Sequence, residues 1–226
     1  MLDASQIKVR IIVHEQSADL CRLLIGTAAA TGNNPHDWEF WSTDGSTVPG
    51  LRGTVRDYRA EHPGPVNMAA RDILREMHEN QWPTLLLDTD CAVLRPRFLE
   101  ELAFQINVGG GQALLSAMYA PKLQRQEDGT YDEMAEWGWT TATGVGLYLP
   151  GCWPRLENHF KNLDMTRTFD AWMGSLLYPD MLVPATGIKQ FPVANAESLD
   201  IAGENTYLHH GCKDGSLQRL VIESAQ

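Results

Sequence analysis

Cations are scarce in this sequence. Its 226 residues hold 18 Lys and Arg against 29 Asp and Glu, a formal net charge of −11. A chain of that sign lacks the basic surface that neutralises a run of phosphates, which argues against sequence-independent nucleic-acid binding and leaves room only for a local basic groove. Long apolar runs are missing too. None approaches the roughly 20 apolar residues of a membrane span, and Met1 to Arg10 is too mixed for a charged-then-apolar leader. Cysteine is sparse: Cys21, Cys91, Cys152 and Cys212 lie far apart with no C-x-x-C pair. Neither zinc nor a dense disulfide framework is indicated, although four thiols suffice for two bridges, and a reducing, cytoplasmic setting is the simplest expectation. The phosphate-loop pattern G-x-x-x-x-G-K-[ST] is absent. Gly109-Gly110-Gly111 lacks its spacing and reads as a turn.

What remains is ordinary for a globular chain, with 43% hydrophobic and 21% charged residues. The length suffices for one sizeable core, so a single domain over 1–226 is expected. Ile7 to Val13 is β-branched and predicts a strand, Asp19 to Ala30 a helix, and Trp38 to Ser42 a second strand. Strand, helix, strand in that order implies a βαβ unit and a parallel sheet. Leu51 to Pro65 is rich in turn residues. Asn67 to Asn80 is amphipathic and leads into the apolar run Leu85-Leu86-Leu87. Helices are further expected over Arg97–Ile106, Leu156–Asn162 and from Phe169 to Tyr178. Strands are expected over Gln112–Tyr119, Thr143–Leu149 and Met181–Pro184.

The apolar run at Leu85 stops at Asp88-Thr89-Asp90, and Val93, Leu94 and Pro96 follow. Two carboxylates two residues apart at a strand end raise each other's pKa unless a cation lies between them. Carboxylate oxygen suits hard ions such as Mg²⁺ and Mn²⁺, which are commonly shared with substrate phosphates. The physical reading is a metal–diphosphate site. The structural alternative is a polar turn, with one aspartate capping the next helix. In parallel sheets ligands sit outside the carboxyl ends of the strands. His14-Glu15 and Asp44-Gly45-Ser46 fall at such ends as well.

Near the C-terminus stands His209-His210-Gly211-Cys212-Lys213. Imidazole can ligate Mn²⁺, a lysine ammonium suits phosphate oxygen, and glycine permits close backbone approach. A surface loop is the alternative. Trp137 and Trp139 flank a glycine in the long polar stretch from Tyr119 to Thr143, where they either form a stacking platform or anchor the core. Asp170 opens a helix, as cap or as a general base for an acceptor hydroxyl.

Leu85-Leu86-Leu87-Asp88-Thr89-Asp90 followed by Val93-Leu94-x-Pro96 resembles the D-x-D segment of GT-A fold glycosyltransferases. Trp41 to Ser46 is similar to the Asp-Gly-Ser strand end that meets the nucleobase in family 2-like members. Ala69-Ala70-Arg71-Asp72 resembles their Ala-Arg-Asn segment, with Asp72 in place of Asn. The chain departs from that pattern again at Phe169, where an acidic residue usually precedes the catalytic aspartate, and in its histidine motif, which is not His-x-x-Gly-x-x-Lys.

The resemblance implies an α/β GT-A fold: a three-layer Rossmann-like sandwich with a mixed, mainly parallel sheet, a donor half over about 1–110 and an acceptor half over about 111–226. It implies a metal-dependent transferase, with Mn²⁺ or Mg²⁺, moving a sugar from a nucleotide-sugar donor, UDP-sugar favoured, to a hydroxyl. Asp44, Arg71, Asp88, Asp90 and Lys213 would bind donor. Asp90 and His209 or His210 would bind metal. Asp170 would be the base of an inverting reaction, and Trp137, Trp139 and Trp172 would meet the acceptor, a saccharide or a modified nucleobase in phage DNA. A nucleotidyltransferase and a non-catalytic nucleotide- or sugar-binding module are the rival readings. The first would show a Gly-rich basic loop after the first strand, where His14-Glu15-Gln16-Ser17 stands instead.

Overall fold

The computed structural model describes residues 1–61, 64–116, 119–120, 135–136, 144–161, 176–177, 180–190 and 206–226. Its central strands are the two most continuous apolar runs. β1 (Lys8–Val13) and β4 (Thr84–Asp88) pair in parallel, with Val9 opposite Leu85 and Ile12 opposite Asp88. Both are covered on both faces, so they read as unbroken apolar stretches rather than as alternating ones. β2 (Glu39–Ser42) lies parallel on the other side of β1, with Val13 opposite Ser42, and β3 (Arg52–Thr54) follows outside it. Beyond β4 comes β9 (Gly146–Tyr148), antiparallel to β4 and to β6 (Ala113–Leu115). Parallel to β6, the outermost strand is β10 (Leu182–Pro184). The seven-stranded order is β10-β6-β9-β4-β1-β2-β3, the mixed, mainly parallel sheet expected.

The two-residue period of the strands divides the core. Val9, Ile11, Val13, Leu85 and Leu87 face one layer, with Cys21, Leu24 and Ala28 of α1 (Ala18–Ala30) and Phe98, Leu102 and Ile106 of α3 (Phe98–Gly109). Ile12 and Leu86 face the other, with Met68, Ile73, Leu74 and Met77 of α2 (Pro65–Asn80) and Trp153, Leu156 and Phe160 of α4 (Trp153–Lys161). Each fully buried Val, Leu, Ile, Phe or Met among them contributes about 1.5–3 kcal/mol by leaving water. Arg10 is a cation inside this core. It is accommodated by ion pairs to its register partner Glu39 and, at 3.1 Å, to Glu76 of α2.

A second sheet stands at the carboxyl end of the first. It runs β11 (Ile188–Gln190), β12 (Leu208–His210), β5 (Cys91–Val93), with β12 antiparallel to β5. α5 (Ser216–Ser224) packs beside α1. A short antiparallel pair, β7 (Tyr119–Ala120) with β8 (Ala135–Glu136), lies within the long polar stretch.

Several local expectations shift. Leu51 to Pro65, read as loop, contains β3. The helix expected at Leu156 begins at Trp153, and the one expected to end at Ile106 runs on to Gly109. The triple glycine is a helix stop with a packing role. Gly110 takes the left-handed conformation at φ 70°, and a Cβ on Gly109 or Gly111 would lie 2.5 Å from Val183. All four cysteines are buried free thiols. Ala113 N donates to Met181 O and Ala185 N to Leu115 O. By the two-residue alternation, Pro184 therefore turns its backbone away from β6, where a missing N–H interrupts no ladder bond.

Candidate metal and nucleotide site

Parallel register puts the ends of β1, β2 and β4 on one rim: Ser42 and Asp88 flank Val13 and Ile12 from opposite sides. Two strand spacings, about 10 Å, separate the lines of β2 and β4. Polar residues follow each strand end, because the chain must turn there and the crevice is open to solvent.

On the β4 side, Asp88 ends the strand, Asp90 follows within the turn, and Cys91 begins β5. Antiparallel pairing sets His210 opposite Cys91. His210 Nε2 then lies 3.0 Å from Asp90 Oδ1 and 3.3 Å from Asp88 Oδ2. His210 and Asp90 are largely buried, whereas the Asp88 side chain is 42% exposed and opens the cluster to the crevice. Burial alone would lower the His210 pKa, but the two carboxylates outweigh it and push the imidazole up to about 10. Desolvation works against Asp90 ionisation, yet His210 and the charge of Lys213 hold its carboxyl below the usual range.

The atoms available to a cation here are carboxylate oxygen and imidazole nitrogen. His210 Nδ1 is buried with no hydrogen-bond partner among the described residues. The candidate donor atoms of Asp90, Cys91 and His210 lie within 4.8 Å of one another. Mixed O and N donors around a cationic imidazolium suit a divalent ion such as Mn²⁺ in exchange for the imidazole proton. The Cys91 thiol lay outside the sequence reading; only its place opposite His210 reveals it. Burial and the neighbouring aspartates push its pKa well up, which disfavours the thiolate.

His209, paired with His210 in the sequence reading, points elsewhere. Alternation along β12 turns it to the opposite side, fully buried, with Nδ1 3.7 Å from Cys212 Sγ. Burial, with repulsion from His210, pushes its pKa down to about 4. Behind the cluster, Gln218 of α5 donates from Nε2 to the carbonyls of Cys91 and Cys212, at 3.2 and 3.3 Å. Cys212 N donates to Asp90 O at 2.8 Å. From His209 to Cys212 the segment is a buried strand and clamp, not the surface loop that stood as the alternative.

On the β2 side is a cleft of about 390 Å³ lined by Ala18, Asp44, Gly45, Ser46 and Thr47. Asp44 Oδ1 accepts from Ser46 N at 3.1 Å, and the Ser46 hydroxyl is buried with no partner among the described residues. Arg71 is placed apart from both groups. Its guanidinium binds Asp72 at 2.8 Å, and its side chain lines a separate cleft between α2 and α4 with Arg75, Trp153 and Lys161. Asp170, Trp137, Trp139 and Trp172 lie outside the described residues.

No protein-family model matches the sequence, and no curated protein does. Solved structures match the fold. The galactosyltransferase LgtC, in a complex with donor and acceptor sugar analogues, superposes over 96% of this chain and 95% of its own at a TM-score of 0.53 and 14% identity. The fold is GT-A. The bifunctional glycosyltransferase WbbM covers 90% of this chain at the same TM-score and 13% identity, with this chain spanning 45% of WbbM. Against S. aureus TarS the chain spans 36% of that protein's length, at 14% identity and a TM-score of 0.48. In GT-A terms the rim joining Asp44 to Asp88 is the carboxyl edge of the central sheet.

Proposed function

We propose that the protein is a metal-dependent glycosyltransferase, taking a nucleotide-sugar donor and a hydroxyl acceptor. The observation that carries this reading is the Asp88–Asp90–His210 cluster, opening onto the same rim as the Asp44–Ser46 cleft in a GT-A fold. The spacing of β2 and β4 suits a ligand with a planar base at one end and a diphosphate at the other. Asp44 and the Ser46 hydroxyl meet the base; a UDP-sugar is the favoured donor.

Asp90, His210 and Asp88 are the residues that would hold Mn²⁺ or Mg²⁺. The ion would neutralise the diphosphate as it leaves. Lys213, exposed and close enough for its charge to reach Asp90, adds a cation for the same phosphates. Arg71 is occupied by Asp72, so Lys213 takes the larger share of that role. His210 rather than His209 is the metal-facing histidine, because only His210 reaches the aspartates.

Asp170 is the candidate base. It would accept the acceptor hydroxyl proton as that oxygen bonds the anomeric carbon and the bond to the diphosphate breaks, giving inversion. Trp137, Trp139 and Trp172 are candidates for acceptor stacking.

Calorimetric titration of UDP, GDP, CDP and ADP, each with Mn²⁺ and with EDTA, tests the reading. One diphosphate should bind to wild type with Mn²⁺, and its binding should vanish with EDTA and in Asp90→Ala. No metal-dependent binding of any of them would sink it.

A further inference from the structure

We propose that Asp72 is a positioning residue that holds the Asp44–Ser46 cleft in shape from behind, and so sets which nucleobase the cleft accepts; the nucleobase part rests on the function proposed above. Asp72 lies on α2, outside both candidate groups, and is 3% exposed. Five donor groups converge on its two oxygens. Oδ2 accepts from Arg56 Nη1 at 2.8 Å and from the Tyr58 hydroxyl at 3.0 Å. Oδ1 accepts from Arg71 Nε and Nη2 at 3.0 and 2.8 Å and pairs with Arg75 Nη2 at 3.1 Å. Only an ionised carboxylate offers so many acceptor sites; an asparagine would turn an NH₂ toward the guanidinium groups.

The two Oδ2 partners both reach the cleft. Arg56, held by its side chain on Asp72, accepts through its backbone carbonyl the N–H of Gly45 at 2.8 Å. Tyr58, held in the same way, donates its backbone N–H to Thr43 O at 2.9 Å. A bridge between Asp44 and Asp57 lies between these two bonds. Trp41, at the end of β2, closes the bracket: its Nε1 donates to the Tyr58 hydroxyl at 3.0 Å, and the Arg56 guanidinium lies 5.5 Å from its ring. Residues 43 to 46 have no helix or long strand of their own, and Gly45 sits at φ 84°. Thr43 is also tied to β1, donating its N–H to Val13 O at 2.9 Å, and Ser46 N bonds Asp44 Oδ1 within the turn; beyond these the stretch rests on the strip 56–58, whose Arg56 and Tyr58 side chains meet on one carboxylate.

Asp72→Asn tests this, with amide hydrogen exchange and nucleotide titration on the same protein. Exchange at the Gly45 and Tyr58 amides should speed up at least tenfold while α2 and β4 stay protected. Affinity for the preferred nucleoside diphosphate should fall about tenfold, and its preference over the other bases should shrink. Arg75→Gln, which removes an Asp72 partner on the side away from the cleft, should leave both amides protected. Unchanged exchange at Gly45 and Tyr58 overturns the proposal, and so does a loss of protection spread over α2 and β4. If Asp72→Asn does not fold, Tyr58→Phe and Arg56→Gln cut the same links from the cleft side, with the same two outcomes. Failure of wild type to bind any nucleotide would remove the base-selection part; the exchange result would still decide whether Asp72 holds the cleft.

Discussion

His210 Nε2 lies 3.0 Å from Asp90 Oδ1, across the pairing of β12 with β5. The two residues are 120 positions apart in sequence, and one backbone ladder sets their distance. Metal affinity should therefore depend on both. Asp90→Ala should abolish Mn²⁺-dependent nucleotide binding, and His210→Ala should weaken it by at least the 10- to 100-fold that goes with losing a supporting group. His209→Ala should leave the metal dependence intact and instead lower stability through the buried space it vacates. Calorimetry with and without EDTA checks the first part, and urea denaturation checks the second.

Gln218 should be a stability residue with a functional consequence. Its side chain is fully buried and bonds the carbonyls of Cys91 and Cys212. Gln218→Leu keeps the bulk and strips both bonds, so two buried acceptors lose a donor, at about 1–3 kcal/mol. The denaturation midpoint should fall, and metal-dependent binding should weaken because His210 and Asp90 are held by those segments.

Thr27 supports the same strand from the other side. Its hydroxyl accepts the N–H of Val93 at 3.0 Å and donates to Leu24 O at 2.7 Å. Thr27→Val, close in shape, would leave a buried N–H unsatisfied and cost about 1–3 kcal/mol, while Thr27→Ser should restore most of it. Paired urea titrations distinguish the two.

Gly146 opens β9, between β4 and β6. A Cβ there would lie 2.5 Å from Leu114 O and 2.4 Å from Leu115 Cδ2. Gly146→Ala must push two central strands apart, so a loss of at least about 2 kcal/mol is expected, or no soluble folded protein. Circular dichroism and a thermal melt report it.

The parts legible in sequence were those whose local pattern and tertiary setting agree. Leu85 to Leu87 is apolar because both faces are covered, and Asp88 and Asp90 stand out because they interrupt it. The amphipathic stripe of α2 was clear for the same reason. β12 was hidden: His209 and His210 look like surface residues until burial keeps one neutral and two aspartates partner the other. β3, three residues with no apolar side chain, owes its existence to pairing with β2 rather than to its own sequence. α5 begins after an Asp214–Ser216 turn with no apolar lead, and only its packing beside α1 distinguishes it. Asp72 carried one visible trace, as the residue standing where the resembled pattern has asparagine. Arg71 and Arg75 are its neighbours on α2, but Arg56 and Tyr58, which tie it to the cleft, come from a strip that precedes the helix and that nothing in the local pattern joins to it.

The placement of Pro184 bears on how this protein behaves in a crowded solution. A sheet's outer strand is a template on which a second chain can lay a strand of its own, and long exposed edges seed aggregates. On β10 the outward backbone positions are Leu182 and Pro184, and the second has no N–H to offer. Among the described residues this border therefore presents a single outward donor, too few to hold a foreign strand in register. The proline blunts growth of the sheet beyond the molecule.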